Sequence, residues 1–112
     1  MRKLALACAL CAFLPLHGAE AGEGKLSANQ LRGLAPGSYV VALTMISLNV
    51  RLYSNGRISG DTGGQQDTGR WQVVGDRLCI AWSKWLGGQT KCSTLSGQNG
   101  ALVGDGLTIK RV

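Results

Sequence analysis

Turn-forming dipeptides that contain glycine recur from residue 55 onward: Asn55-Gly56, Gly75-Asp76, Gly87-Gly88, Asn99-Gly100 and Asp105-Gly106. Breakers this closely spaced leave no room for a helix of ordinary length, but they do leave room for strands of about four to eight residues. The segments between them, WQVV, LCIAW, TKCSTL, ALV and LTIKRV, are rich in the β-branched and aromatic residues that suit a pleated surface. Upstream, Ser38–Met45 (SYVVALTM) and Ser47–Ser54 (SLNVRLYS) have the same character. The second alternates Leu48, Val50 and Leu52 against Asn49, Arg51 and Tyr53, the period of a strand with one face in a core. Asn55-Gly56, between RLYS and RISG, predicts a type I′ hairpin turn with positive φ at both central residues. Together these signals predict an all-β fold: a small antiparallel meander of seven or eight strands forming a barrel or sandwich.

The N-terminal region reads differently. Arg2 and Lys3 precede an uncharged run of 13 residues, Leu4–Leu16, and Ala19-Glu20-Ala21 supplies the small-x-small pattern of a signal-peptidase site. The run is too short to cross a bilayer. A signal peptide is therefore expected over residues 1–21, cut after Ala21 or alternatively after Ala19, which directs the chain to the periplasm or the exterior. Ala5 and Cys8, three residues ahead of Cys8 and Cys11, are not the large aliphatic residue that a lipoprotein signal prefers, so lipidation is not expected. Residues 22–37 read as a tail followed by a short helical turn capped by Ser27, with Leu31 and Leu34 facing inward and Pro36-Gly37 ending it. Residues 38–112 form the β domain.

Cleavage changes the chemical inventory. Removing 21 of 112 residues leaves 91, enough for one domain with one modest core. His17, the one histidine, leaves with the signal, and so do Cys8 and Cys11. Histidine-based triads and metal sites are then excluded unless a partner supplies the imidazole, and no cofactor or metal is expected. Cys79 and Cys92 remain, with twelve residues between them in strand-like surroundings, unlike the two intervening residues of redox motifs; in an oxidising compartment they are expected to form a disulfide. Pairing 78–85 with 89–96 around Gly87-Gly88 would set them roughly opposite one another. Ten of the twelve basic and five of the six acidic residues survive, a net charge of +5 that favours anionic partners such as lipid head groups, acidic glycans or acidic protein faces. Nucleic acid is a poor partner for an exported chain, and no membrane span remains after cleavage.

Asp-Thr-Gly occurs twice, at Asp61-Thr62-Gly63 and Asp67-Thr68-Gly69. Aspartic proteases hold paired carboxylates in such loops, but they place apolar residues ahead of the aspartate, whereas here Ser59-Gly60 and Gln65-Gln66 precede. Two copies six residues apart in one loop read instead as turn-forming residues of a hairpin. Calcium would need a more regular alternation of carboxylates. Among the aromatic residues, Trp71 and one of Trp82 and Trp85 are expected in the core. Trp82 and Trp85, an odd number of positions apart, would face opposite sides of a regular strand. Trp85 beside Leu86-Gly87-Gly88, with Lys84, suits stacking on a sugar or contact with an anionic head group.

The run DTGRWQVVGDRLCIAWSKWLGGQTKC, Asp67–Cys92, resembles the central signature of small exported proteobacterial proteins of uncharacterised function: a Gly-x-Trp strand, an "LC…W" strand and a later cysteine. The upstream RLYSNGRISG is similar to that group's aromatic strand and Asn/Asp-Gly turn. The resemblance implies a periplasmic β domain with Cys79 bonded to Cys92, and it carries no catalytic residues. The chain is thus expected to be a monomeric or weakly associating, non-catalytic binding or accessory module for an anionic envelope component or a protein partner. Trp85, Lys84, Lys91, Arg51 and Tyr53 are its candidate contacts. An inhibitor or immunity-type protein is the alternative; an aspartate-dependent hydrolase is the third reading.

Overall fold

The computed structural model describes residues 24–112. The expected signal peptide, with Cys8, Cys11 and His17, lies outside the described residues, and so do Gly22 and Glu23. The chain folds as strand β1 (Gly24–Lys25), helix α1 (Ala28–Arg32) and strands β2 (Gly37–Ala42), β3 (Ser47–Leu52), β4 (Arg57–Asp61), β5 (Gln66–Val74) and β6 (Arg77–Trp82). A 3₁₀ turn at Trp85–Gly88 leads into β7 (Thr90–Ser93), β8 (Ser96–Gln98), β9 (Ala101–Gly104) and β10 (Leu107–Arg111). All ten strands join one antiparallel sheet in the order β1-β8-β9-β10-β2-β3-β4-β5-β6-β7. The all-β expectation holds, and the count exceeds it for two local reasons. TKCSTL, expected as one strand, ends as β7 at Ser93 and a further strand, β8, follows the break at Thr94-Leu95, while the expected tail contributes β1.

The division at Thr94-Leu95 shapes the molecule. The segments it joins sit at opposite sides of the sheet, one paired with β6 and the other with β9. Three Cα–Cα steps span at most about 11 Å, so the sheet must curl until its two ends approach one another. The result is a half-barrel whose concave face carries Leu48, Val50 and Leu52 of β3 and Ile58 of β4, all buried.

The inward and outward alternation read from SLNVRLYS is realised in full, with Asn49 and Arg51 on the solvent face. The type I′ turn forms elsewhere than expected. At Asn55-Gly56 only the glycine has positive φ, and Gly56 N–H donates to the Tyr53 carbonyl in a longer loop, stabilised by Arg57 N–H donating to Asn55 Oδ1. At Asn99-Gly100 both φ values are positive, 52° and 81°, and Gln98 pairs with Ala101 across the two-residue loop.

Helix α1 closes one end. Ser27 Oγ accepts from Gln30 N–H at 3.2 Å while Gln30 Oε1 accepts from Ser27 N–H at 2.8 Å, a reciprocal cap for a helix of five residues. Leu31 is fully buried against Leu26, Leu78 and Leu95, and the expected inward face of the helical turn is confirmed. The Lys25 ammonium, 2.7 Å from Asp76, ties β1 to the β5–β6 turn.

Candidate functional site

In an antiparallel meander the connections alternate between the two ends. The end opposite α1 therefore gathers residues 43–46, 62–65, 83–89 and 105–106. Beneath them the concave face does not fill with side chains. It encloses a cavity of about 600 Å3, floored by Leu34, Leu78 and Leu95 near the helix and walled by Val41, Ile80 and Ile109. At the turn end Leu43, Ile46, Trp85 and Leu86 line it, and among the described residues Lys91 is the one cation in its lining. Leu43, Met45, Ile46 and Leu86 are all exposed there, Met45 by 88%. Leu43, Ile46 and Leu86 line the opening, and with Met45 on the same turn they make an exposed apolar patch of the kind that marks a contact surface.

Tryptophan placement follows from a chain reversal. β6 ends at Trp82, Ser83 N–H donates to the Thr68 carbonyl at 2.9 Å, and Trp85 begins the 3₁₀ turn. Trp85 therefore folds back over Trp82, with ring centroids 4.7 Å apart and planes tilted by 57°, rather than facing the opposite side as a continuous strand would place it. Trp82 is buried and Trp85 half-buried. Both rest on Gly60, where a Cβ would come within 2.7 Å of Trp82 and 2.6 Å of Trp85. Trp71 packs against the core, and its indole N–H donates to the Tyr53 carbonyl at 2.8 Å.

The second Asp-Thr-Gly is what holds this reversal. It lies within β5, not in a turn; the turn is at residues 62–65. Asp67 points inward and is 5% exposed. Its Oδ1 accepts from Thr68 N–H at 2.8 Å, and its Oδ2 accepts from Lys84 N–H at 2.8 Å and Trp85 N–H at 2.9 Å. Burial alone would raise the carboxyl's pKa. The backbone N–H groups of Trp85, Lys84 and Thr68, with the Lys84 charge, outweigh it and hold Asp67 below the ordinary carboxylate value. Asp61 lies on the other face and accepts from Gly63 N–H at 2.6 Å, so the two carboxylates do not meet as a pair.

A carboxyl depressed in the folded state stabilises the fold above its unfolded value, about 4, and that contribution is lost as pH falls through the folded value. Asp76, depressed by the hydrogen bond and charge of Lys25, has the same sign. Denaturant titrations from pH 7 to 2 should show stability falling below about pH 4. Asp67→Asn should be weaker at pH 7 and lose less on acidification. A variant as stable as the parent at pH 7 would refute the clamp.

Of the candidate contacts read from sequence, Trp85 and Lys91 line the cavity, and Lys84 belongs to the clamped turn. Lys91 lies on the inner face of β7 opposite Ile80. Arg51 and Tyr53 do not join them: Arg51 points to the convex face, and its guanidinium sits 5.4 Å from the Tyr53 ring centroid. Cys79 and Cys92 are direct partners across β6 and β7 and are bonded, Sγ–Sγ 2.08 Å. Sequence reasoning missed the apolar rim. Its one signal is LTMI at residues 43–46, apolar where a hairpin connection is ordinarily polar. The buried Tyr39 hydroxyl donates to the Leu34 carbonyl; burial raises its pKa, and Arg111, 5.2 Å from the ring, opposes that.

Among the described residues no three His, Cys, Asp or Glu side chains come together as a metal site, and no helix is long and apolar enough to cross a membrane. Fold and site define an all-β half-barrel with an apolar cavity open at its turn end. Comparison with protein-family models, curated proteins and solved structures finds no match, so the site is read from its own geometry.

Proposed function

We propose that this chain is a non-catalytic binding module, exported to the periplasm or beyond, that receives an apolar group of an anionic envelope component or partner protein in the concave face of its half-barrel. The observation that carries this reading is the cavity of about 600 Å3 with exposed Leu43, Ile46 and Leu86 at its mouth. Its size and its apolar lining with few polar groups are those of small-molecule sites. Leu86 adds support. It holds φ 57°, a left-handed conformation unusual for a leucine, and stays exposed beside the cavity. Strain of this kind persists where the surroundings impose it and gathers at ligand clamps; here the Asp67 clamp and the Gln89 N–H to Leu86 carbonyl bond impose it. Asp67 itself is committed to three backbone donors, which favours binding over acid–base chemistry. The N-terminal pattern and the resemblance to small exported proteobacterial proteins support export.

An uncharged, environment-sensitive dye tests the reading. It should brighten on binding with one dye per chain, and Val41→Trp, which fills the cavity from a half-buried position, should weaken binding at least tenfold. A dye that stays dark, or that binds the variant equally, refutes it. An inhibitor reading is favoured by one observation, the projection of Met45 from the β2–β3 turn. In that case Met45→Ala would impair function while dye binding stayed intact.

A further inference from the structure

The cavity is apolar, but the chain around it is not neutral. Among the described residues the one ion pair is Lys25–Asp76, far from the mouth, so Lys91 stands in the lining without a carboxylate partner. Lys84 is exposed on the turn that carries Trp85. Of the acidic residues near this end, Asp67 is occupied by backbone donors, and Asp61 is turned outward and engaged by Gly63 N–H. Asp105 is the one carboxylate in the lining. It lies on the β9–β10 turn, and its own N–H donates to Ser93 Oγ.

From this arrangement we infer that the ligand is a single aliphatic chain bearing an anionic head group, the chain running into the cavity and the head held at Lys91. The inference rests on the cavity being a binding site. The walls, Val41, Ile80 and Ile109, offer no hydrogen-bond partner; of the polar lining, the Tyr39 hydroxyl and Ser93 Oγ are already bonded to the backbone and Thr62 and Gln65 belong to the β4–β5 turn, so a polar group along the buried part of the ligand would be costly. A cation placed at the edge of such a lining interacts strongly with an anion because the apolar walls exclude water. The same chemistry is supplied by a free fatty carboxylate or by an acyl chain of an anionic phospholipid.

Displacement of the uncharged dye by straight-chain carboxylates of increasing length, below their micellisation concentrations, tests chain and head together. Each added methylene should tighten binding roughly three- to fourfold until the cavity is full, after which the gain stops. Alkyl ammonium and alkanol of the same length should bind at least fivefold more weakly than the carboxylate. Lys91→Glu, an exposed change outside the packed core, should abolish or reverse that order. Co-sedimentation with vesicles of anionic phospholipid distinguishes the sources. Binding lost in both Val41→Trp and Lys91→Glu assigns a membrane source; binding to free carboxylates without vesicle capture assigns a soluble one. Dye binding with no preference for head charge, a preference for ammonium through Asp105, or no dependence on chain length overturns the inference while leaving the cavity as a binding site. Failure of the dye to bind at all removes both.

Discussion

Leu31→Ala is expected to lower the free energy of unfolding by about 2–5 kcal/mol, the range for truncating a fully buried leucine, with a fall in urea midpoint and an unchanged strand signal in far-UV circular dichroism. Leu31 is 0% exposed, and it joins Leu26, Leu78 and Leu95, so its removal leaves a void bordered by β6 and by two connecting segments. The helix around it has only five residues and is not stable alone. Its anchorage is the capping box and this one side chain. Domains of this class stand about 5–15 kcal/mol above unfolding, so the substitution removes a large share. Because Leu78 and Leu95, which pack on Leu31, also floor the cavity, the variant should bind the dye more weakly than its stability alone explains. A loss under about 1 kcal/mol would mean that α1 is an ornament rather than the plug of the half-barrel.

Reduction of Cys79–Cys92 should weaken the fold by about 3 kcal/mol, the loop-closure entropy of a bridge spanning 13 positions. The loss should be local at first. β7 pairs on one side only, through four residues, and the bond fastens its midpoint to β6. Hydrogen exchange in the reduced protein should rise first in residues 90–93, the segment that presents Lys91, before the rest of the sheet opens. Intact mass of the native protein should be two hydrogens lighter than the dithiol form, and the protein should resist alkylation without reductant. Two alkylated thiols, or uniform exchange after reduction, would contradict this account.

What was legible in the sequence were features with a local cause. The alternation of β3, the Ser27 cap with Leu31 inward, the Gly75-Asp76 turn and the facing of Cys79 and Cys92 each depend on residues within a few positions or on a single hairpin. What escaped depended on distant contacts. Asp67 looks like a turn residue by its neighbours Thr68 and Gly69, yet it lies in a strand because Lys84 and Trp85 bring two N–H groups to it from seventeen and eighteen positions away. The stacking of Trp85 on Trp82 needs a chain reversal that no periodicity encodes, and it needs Gly60, from another strand, to leave room. Lys84 and Lys91 both lie at or next to the β6–β7 connection, at the turn end. Arg51 lies on the convex face, where the strand period of β3 sends it, beside the Tyr53 ring.

β10 lies between β9 and β2, with Arg111 opposite Tyr39 and Thr108 opposite Ala42. The sheet's middle is therefore made from residues some seventy positions apart. During synthesis the hairpins from β2 to β7 can assemble early, yet β2 keeps a bare hydrogen-bonding edge until the last strand is delivered. Such a chain gains its long-range pairing late and slowly. The same arrangement makes the final five-residue strand the latch of the half-barrel: Ile109 joins both halves of the core only once it has docked.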